Sequence, residues 1–245
     1  MKNWLRDSFR SSRLLSFNQV NRDEWVKEQA RKVPRGASVL DVGAGSCPYA
    51  HLFSHCHYKT QDFGTVKNEQ LRNGQYGKID YVCYVSNIPV ENDSFDVVLC
   101  TEVLEHLPEP IRALKEFARI LKPAGGLILT APLGSGIHQE PYHFYGGFTP
   151  FWFQRFLPEA GFNHIVIEPN AGFFMFFSQE SIRFIRMTRP FKLGMPFIVE
   201  LCWTPFWILL LPICGVVFPL VTWYLDRFDK ERRFTVGYHV TANKA

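Results

Sequence analysis

The stretch Val39-Leu-Asp-Val-Gly-Ala-Gly-Ser-Cys-Pro48 constrains this chain more than any other. An apolar strand runs straight into a two-glycine bend, and Pro48 opens the segment behind it, so a strand–loop–helix unit is predicted. Glycine lets the backbone at such a bend approach a ligand closely, and the first N–H groups of the next helix point at it. Asp62 closes the predicted second strand, 21 residues beyond Asp41. A carboxylate there can accept both hydroxyls of a ribose.

Strands alternate with helices on either side of this unit. Strands are predicted at 38–42, 57–62, 79–84, 95–100, 127–131, 162–168 and 235–242. Helices are predicted at 21–32 (started by Asn21 or Asp23), 48–53, 111–121 and 151–157. Phe95–Cys100 is continuously apolar, as a strand covered on both faces requires. The expected fold is α/β: a doubly wound, mostly parallel, seven-stranded Rossmann-like sheet with an apolar helical insert before the last strand. Ligands of such sheets bind at the carboxyl ends of the strands, where the strand order reverses. Four segments are expected: an N-terminal arm and helix (1–35), a binding core (36–170), the insert (171–233) and the final strand (234–245).

Two cofactor classes use a glycine bend with a distal acid. A dinucleotide site wants a third glycine where this chain has Pro48, and it has no use for Asp41 two residues before the first glycine. A carboxylate repels a diphosphate and attracts an ammonium group. The bend therefore suits a cationic nucleoside better, with an NAD-type oxidoreductase as the alternative.

VLDVGAG resembles motif I of the class I S-adenosylmethionine-dependent methyltransferases. Ser94–Leu107 (SFDVVLCTEVLEHL) resembles the fourth-strand signature of the group typified by the ubiquinone and menaquinone biosynthesis enzymes. Asn87-Ile88-Pro89 is similar to that group's "LPF" step, and Leu121-Lys-Pro-Ala-Gly-Gly126 to its "LKPGG" turn. The four blocks come in the family's order and cover roughly residues 36–170. The later block Pro141–Thr149 (PYHFYGGFT), with Ala160-Gly-Phe162, resembles a bacterial subset tied to cell-surface glycan or lipid biosynthesis.

The resemblance implies S-adenosyl-L-methionine as cofactor, and a small-molecule, glycan or lipid-linked acceptor. It gives Asp41, Gly43 and Gly45 to the methionine end of the donor, Asp62 to the ribose and Phe63 to the adenine. Ser86, Asn87, Ile88 and Thr101 complete the expected cofactor wall. Tyr84 stands where the family places an acid toward the adenine amino group, and Cys47 replaces the third glycine of motif I.

Methyl transfer needs a general base only for an acceptor of weak acidity. His106 and His143 are the expected bases, with His106 alternatively a loop-ordering residue. His138, Tyr142, His143 and Tyr145 are expected against the acceptor. His51, His55 and His57 lack a completing carboxylate, so no metal is expected.

The six cysteines form no CxxC pair, which fits reduced thiols and a cytoplasmic setting. No apolar stretch follows the basic start, so no signal peptide is expected. A net charge of +4 without a basic run argues against a nucleic-acid partner. Residues 201–225 carry no charge and are long enough to cross a bilayer. Prolines 205, 212 and 219, with cations on both flanks, favour two short helices folded back near Pro212, contacting the inner face of a membrane through residues 197–225. A buried subdomain or a homodimer interface is the alternative, and a non-catalytic membrane-surface protein keeping the fold is a further one.

Overall fold

A computed structural model of the protein describes residues 16–245. Most of the polar arm expected over residues 1–20 lies outside the described residues. The chain divides into two compact units, Arg22–Glu168 with Gly237–Ala245, and Pro169–Val236 with the stretch through Asn21.

The first unit is built on a seven-stranded sheet: β1 (Ser38–Val42), β2 (His57–Asp62), β3 (Tyr81–Val82), β4 (Phe95–Thr101), β5 (Leu121–Pro132), β6 (Phe162–Pro169) and β7 (Gly237–Lys244), in the order β3-β2-β1-β4-β5-β7-β6. The order reverses between β1 and β4, which pair in parallel from Val39↔Val97 to Val42↔Cys100. That crevice opens at the carboxyl ends of the two strands, where the glycine bend follows β1. β7 alone runs antiparallel, along β5. Helix α1 (Phe17–Lys32), α2 (Pro110–Ile120) and α3 (Pro150–Glu159) flank the sheet. Leu40, Val98, Leu114, Phe117, Leu129 and Phe153 are fully buried between the layers.

Several expected boundaries move. α1 begins at Phe17, so Asn21 and Asp23 lie inside the helix and do not cap it. The segment behind the bend is only a 3₁₀ turn, Ala50–Phe53. It buries just Phe53, too little to offset nucleation of an α-helix. β3 shrinks to two residues, and Val82 and Tyr84 are largely exposed at this edge of the sheet. β5 starts at Leu121, pairing with Phe95 across a register shift that takes up the Lys-Pro-Ala-Gly residues.

The second unit is a helical hairpin: α4 (Phe173–Met187), then α5 (Phe197–Pro212), a π turn (Ile213–Val217) and α6 (Phe218–Leu225). The expected fold-back at Pro212 does not occur. A proline removes one i→i−4 bond, and the wide turn at Ile213–Val217 absorbs the mismatch without breaking the rod. Helical structure continues over 32 residues, Phe197–Phe228, through the prolines, and packs against α4. The pairing is antiparallel: Phe177 meets Phe218, Ser181 Oγ donates to the Cys214 carbonyl, and the Trp207 and Trp203 Nε1–H groups donate to Ile185 and Thr188. This rod is long and apolar enough to cross a membrane, and only 17% of its most apolar 18 residues is buried.

Candidate active site

Gly43 and Gly45 both adopt positive φ, +65° and +51°. A Cβ at Gly43 would overlap the Val103 side chain, so two separate constraints demand glycine there. Cys47 adopts φ +50°, a left-handed conformation that a side chain disfavours. The missing third glycine is thus a replacement in sequence but not in backbone shape. Gly77 N–H bonds the Gly45 carbonyl and closes the segment after β2 over the bend.

Asp41, at the level of Thr60 and Leu99 in the sheet, is 2% exposed. Burial is the main reason its pKa climbs to about 7; Tyr58 Oη–H donates to it and pulls the other way, and the Asp62 charge pushes it further up. Asp62 turns one oxygen onto the bend, Oδ2 accepting the Gly45 N–H at 3.0 Å, while Oδ1 accepts the Gly64 N–H just beyond β2 at 2.9 Å. Lone-pair positions remain on both for further donors.

Sequence reasoning missed a brace supplied by α1. Arg22 pairs with Glu102 at 3.1 Å, and Glu102 also accepts the Thr130 hydroxyl. Asp23 receives the Arg72 guanidinium through two nitrogens and the Tyr49 hydroxyl at 2.9 Å. These contacts lock α1 and the 63–80 segment around the crevice.

The expected cofactor wall is partly assembled. Phe63 faces Tyr84 with ring centres 6.4 Å apart and 31° between planes, and Tyr142 meets the Phe63 edge at 4.9 Å. Ser86 and Thr101 are half-buried and Asn87 is exposed. Ile88 is withdrawn from the wall. Its side chain is 1% exposed in the core, its N–H donates to Glu116 and its carbonyl accepts from Arg119, leaving nothing to offer a nucleoside.

Three histidines converge behind β4 and β5. Ring centres of His106 and His138 lie 4.7 Å apart, and those of His138 and His143 4.8 Å apart. His106 Nδ1 donates to the Tyr142 carbonyl at 2.6 Å. Burial chiefly lowers its pKa to about 4, helped by the two other histidines, so the ring is neutral. His143, lowered mainly by burial, contacts the Ser135 hydroxyl through Nε2 at 3.0 Å. Tyr145 Oη–H reaches the Pro108 carbonyl. Glu105, 1% exposed, is pushed well up by burial and then by Glu102. His51, His55 and His57 do not join this group; His55 Nε2 instead contacts the Val33 carbonyl.

Residues 40–129 match the family model described as a methyltransferase domain. Among curated relatives, the ubiquinone biosynthesis O-methyltransferase of Xanthomonas axonopodis pv. citri is 35% identical over 108 residues, 41% of this chain and 45% of that protein. The sarcosine/dimethylglycine N-methyltransferase of Halorhodospira halochloris is 26% identical over 60% of this chain and 59% of its own length. The chain thus spans about half the length of these relatives. A solved S-adenosylmethionine-dependent methyltransferase from Archaeoglobus fulgidus aligns over 99% of both chains at a TM-score of 0.52 and 17% identity, which shows a shared fold.

Proposed function

We propose that this chain, whose residues 40–129 match a methyltransferase domain, is a class I S-adenosylmethionine-dependent methyltransferase that moves a methyl group to a small-molecule, glycan or lipid-linked acceptor by in-line displacement. The carrying observation is the bend with its two acids. Gly43 has no room for a Cβ beside Val103, Gly45 holds a left-handed φ, and Asp41 is buried with its proton affinity raised partly by Asp62. A cationic ligand relieves such a pair, whereas a diphosphate adds to the repulsion. The residues present therefore fit the donor.

In this reading Asp41, Gly43 and Gly45 hold the methionine end and Asp62 accepts the ribose hydroxyls. Phe63 and Tyr84 flank the adenine, and Ser86, Asn87 and Thr101 close the wall. Bound donor supplies an already activated methyl carbon. The chain's own task is to align the acceptor and exclude water. Tyr142, His138, His143 and Tyr145 form the acceptor side. His143 is the better base for a hydroxyl acceptor, because burial lowers the His106 pKa to about 4, and the His106 Nδ1–H bond to the Tyr142 carbonyl orders that loop.

The test is calorimetric titration with S-adenosylhomocysteine and, separately, NADH, followed by incubation with labelled donor and cell-extract fractions. Binding of the first and transfer of label to an extract component support the reading. Binding of NADH alone overturns it.

The hairpin adds a location. Phe206, Ile208, Leu209, Leu220 and Trp223 are exposed along it. Arg183, Arg186, Arg189 and Lys192 stand at one end, Arg227, Lys230, Arg232 and Arg233 at the other. A groove near the turn is lined by Arg186, Arg189, Phe191 and Trp207. An exposed apolar rod ended by cations suits the interface of an anionic bilayer, at the cytoplasmic face. A lipid-linked acceptor would be met there.

A further inference from the structure

We propose that Glu105, His106 and His138 form a binding site for a divalent first-row transition metal of the zinc class. One ligand atom from each lies within 4.8 Å of the others. His106 Nε2 is 3.7 Å from a Glu105 oxygen. A tetrahedral ion with bonds of ~2.1 Å spaces its ligands by roughly 3.4 Å. Closing the remainder falls to His138, which is exposed on its loop.

The hydrogen bonds give each imidazole the tautomer that a metal requires. A carbonyl only accepts, so the proton of the neutral His106 ring sits on Nδ1, against Tyr142 O. His138 Nδ1 likewise donates to the Gly136 carbonyl at 2.9 Å. Both Nε2 atoms thus keep their lone pairs, and an imidazole anchored by its other nitrogen to a backbone carbonyl is the usual supporting arrangement of a metal ligand.

A second, independent observation points to a cation. Glu105 Oε2 is buried and has no hydrogen-bond partner among the described residues. A buried carboxyl oxygen without a donor is costly, and a divalent ion is a partner that satisfies it. His143 stays outside the set because its Nε2 is engaged by Ser135 Oγ. Two imidazoles and one carboxylate suit zinc and its neighbours better than magnesium or calcium. Three protein ligands leave a four-coordinate ion one position for water or an acceptor oxygen. The site is separate from the glycine bend, so it stands whether or not the donor assignment does.

The test is metal titration of the full chain, with Co2+ read by its visible absorption and Zn2+ by competition against a chromophoric chelator. One equivalent should bind, with the visible band of imidazole-ligated Co2+. His138→Ala, an exposed change that leaves metal-free thermal unfolding unaltered, should weaken binding at least ~10-fold and change the band. Glu105→Gln should weaken it as well, while His143→Ala and His57→Ala should leave it intact. Absence of the band, full binding by His138→Ala, or loss of binding in His57→Ala would each overturn the proposal.

Discussion

Asp62 ties the glycine bend to the end of β2 through Gly45, whose N–H it accepts at 3.0 Å while its other oxygen holds Gly64. The residue that the proposed function gives to the ribose therefore also sets the shape of the loop that receives the methionine end.

Asp62→Ala should for this reason weaken S-adenosylhomocysteine binding more than a ribose contact alone would. Each charge-assisted hydrogen bond lost is worth on the order of 1.5–3 kcal/mol, so a rise in Kd well beyond ~10-fold is expected by calorimetry. Unchanged affinity would place the ribose elsewhere.

Asp41 makes donor binding depend on pH. Its folded pKa of about 7 exceeds the ordinary 3.8, so the folded state keeps a proton that the unfolded chain gives up between those values. This group's contribution to stability is complete below pH ~4 and falls by roughly 1.4 kcal/mol per unit until pH ~7. Asp41→Asn removes that slope, so melting curves should shift in the variant's favour as pH rises from 5 to 7. A ligand ammonium favours the carboxylate, so S-adenosylhomocysteine affinity should rise from pH 6 to pH 8 in the native protein and stay flatter in Asp41→Asn.

Gly43→Ala should cost both stability and donor binding. A left-handed alanine costs about 1–2 kcal/mol, and its Cβ collides with Val103. Thermal unfolding should report a drop of several degrees. Gly36→Ala has a positive φ but nothing within 4 Å, so it should show only the conformational cost.

Ile208→Glu with Leu209→Glu should abolish flotation with vesicles containing anionic lipid at low salt. Both residues are more than half exposed, at 55% and 66%, so folding should survive the change. A native protein that stays in the supernatant would remove the membrane location and leave the donor site untouched.

What could be read in the residues was local. The bend, its two acids and Pro48 sit close in the chain, and the alternation of apolar runs carried the sheet order's consequence, a crevice behind β1. The brace from α1 could not be read. Arg72 meets Asp23 across 49 positions, and nothing in the helix's polar surface marks Asp23 for that partner. The three histidines were legible as residues of the acceptor edge, but their mutual contact was not, because His106 and His138 come from different loops. Pro212 misled for a different reason. A proline weakens a helix, but tertiary packing and a π turn decide whether the chain turns.

The strand order carries a consequence for biosynthesis. β6 sits at the sheet margin, and β7 is the strand that joins it to β5. A ribosome makes β6 first, then the whole oily hairpin, and only afterwards β7. Until Gly237–Lys244 has emerged, the sheet stops at β5 while the hairpin is already exposed to whatever surrounds it. A bilayer or a chaperone can therefore engage the hairpin before the sheet is complete.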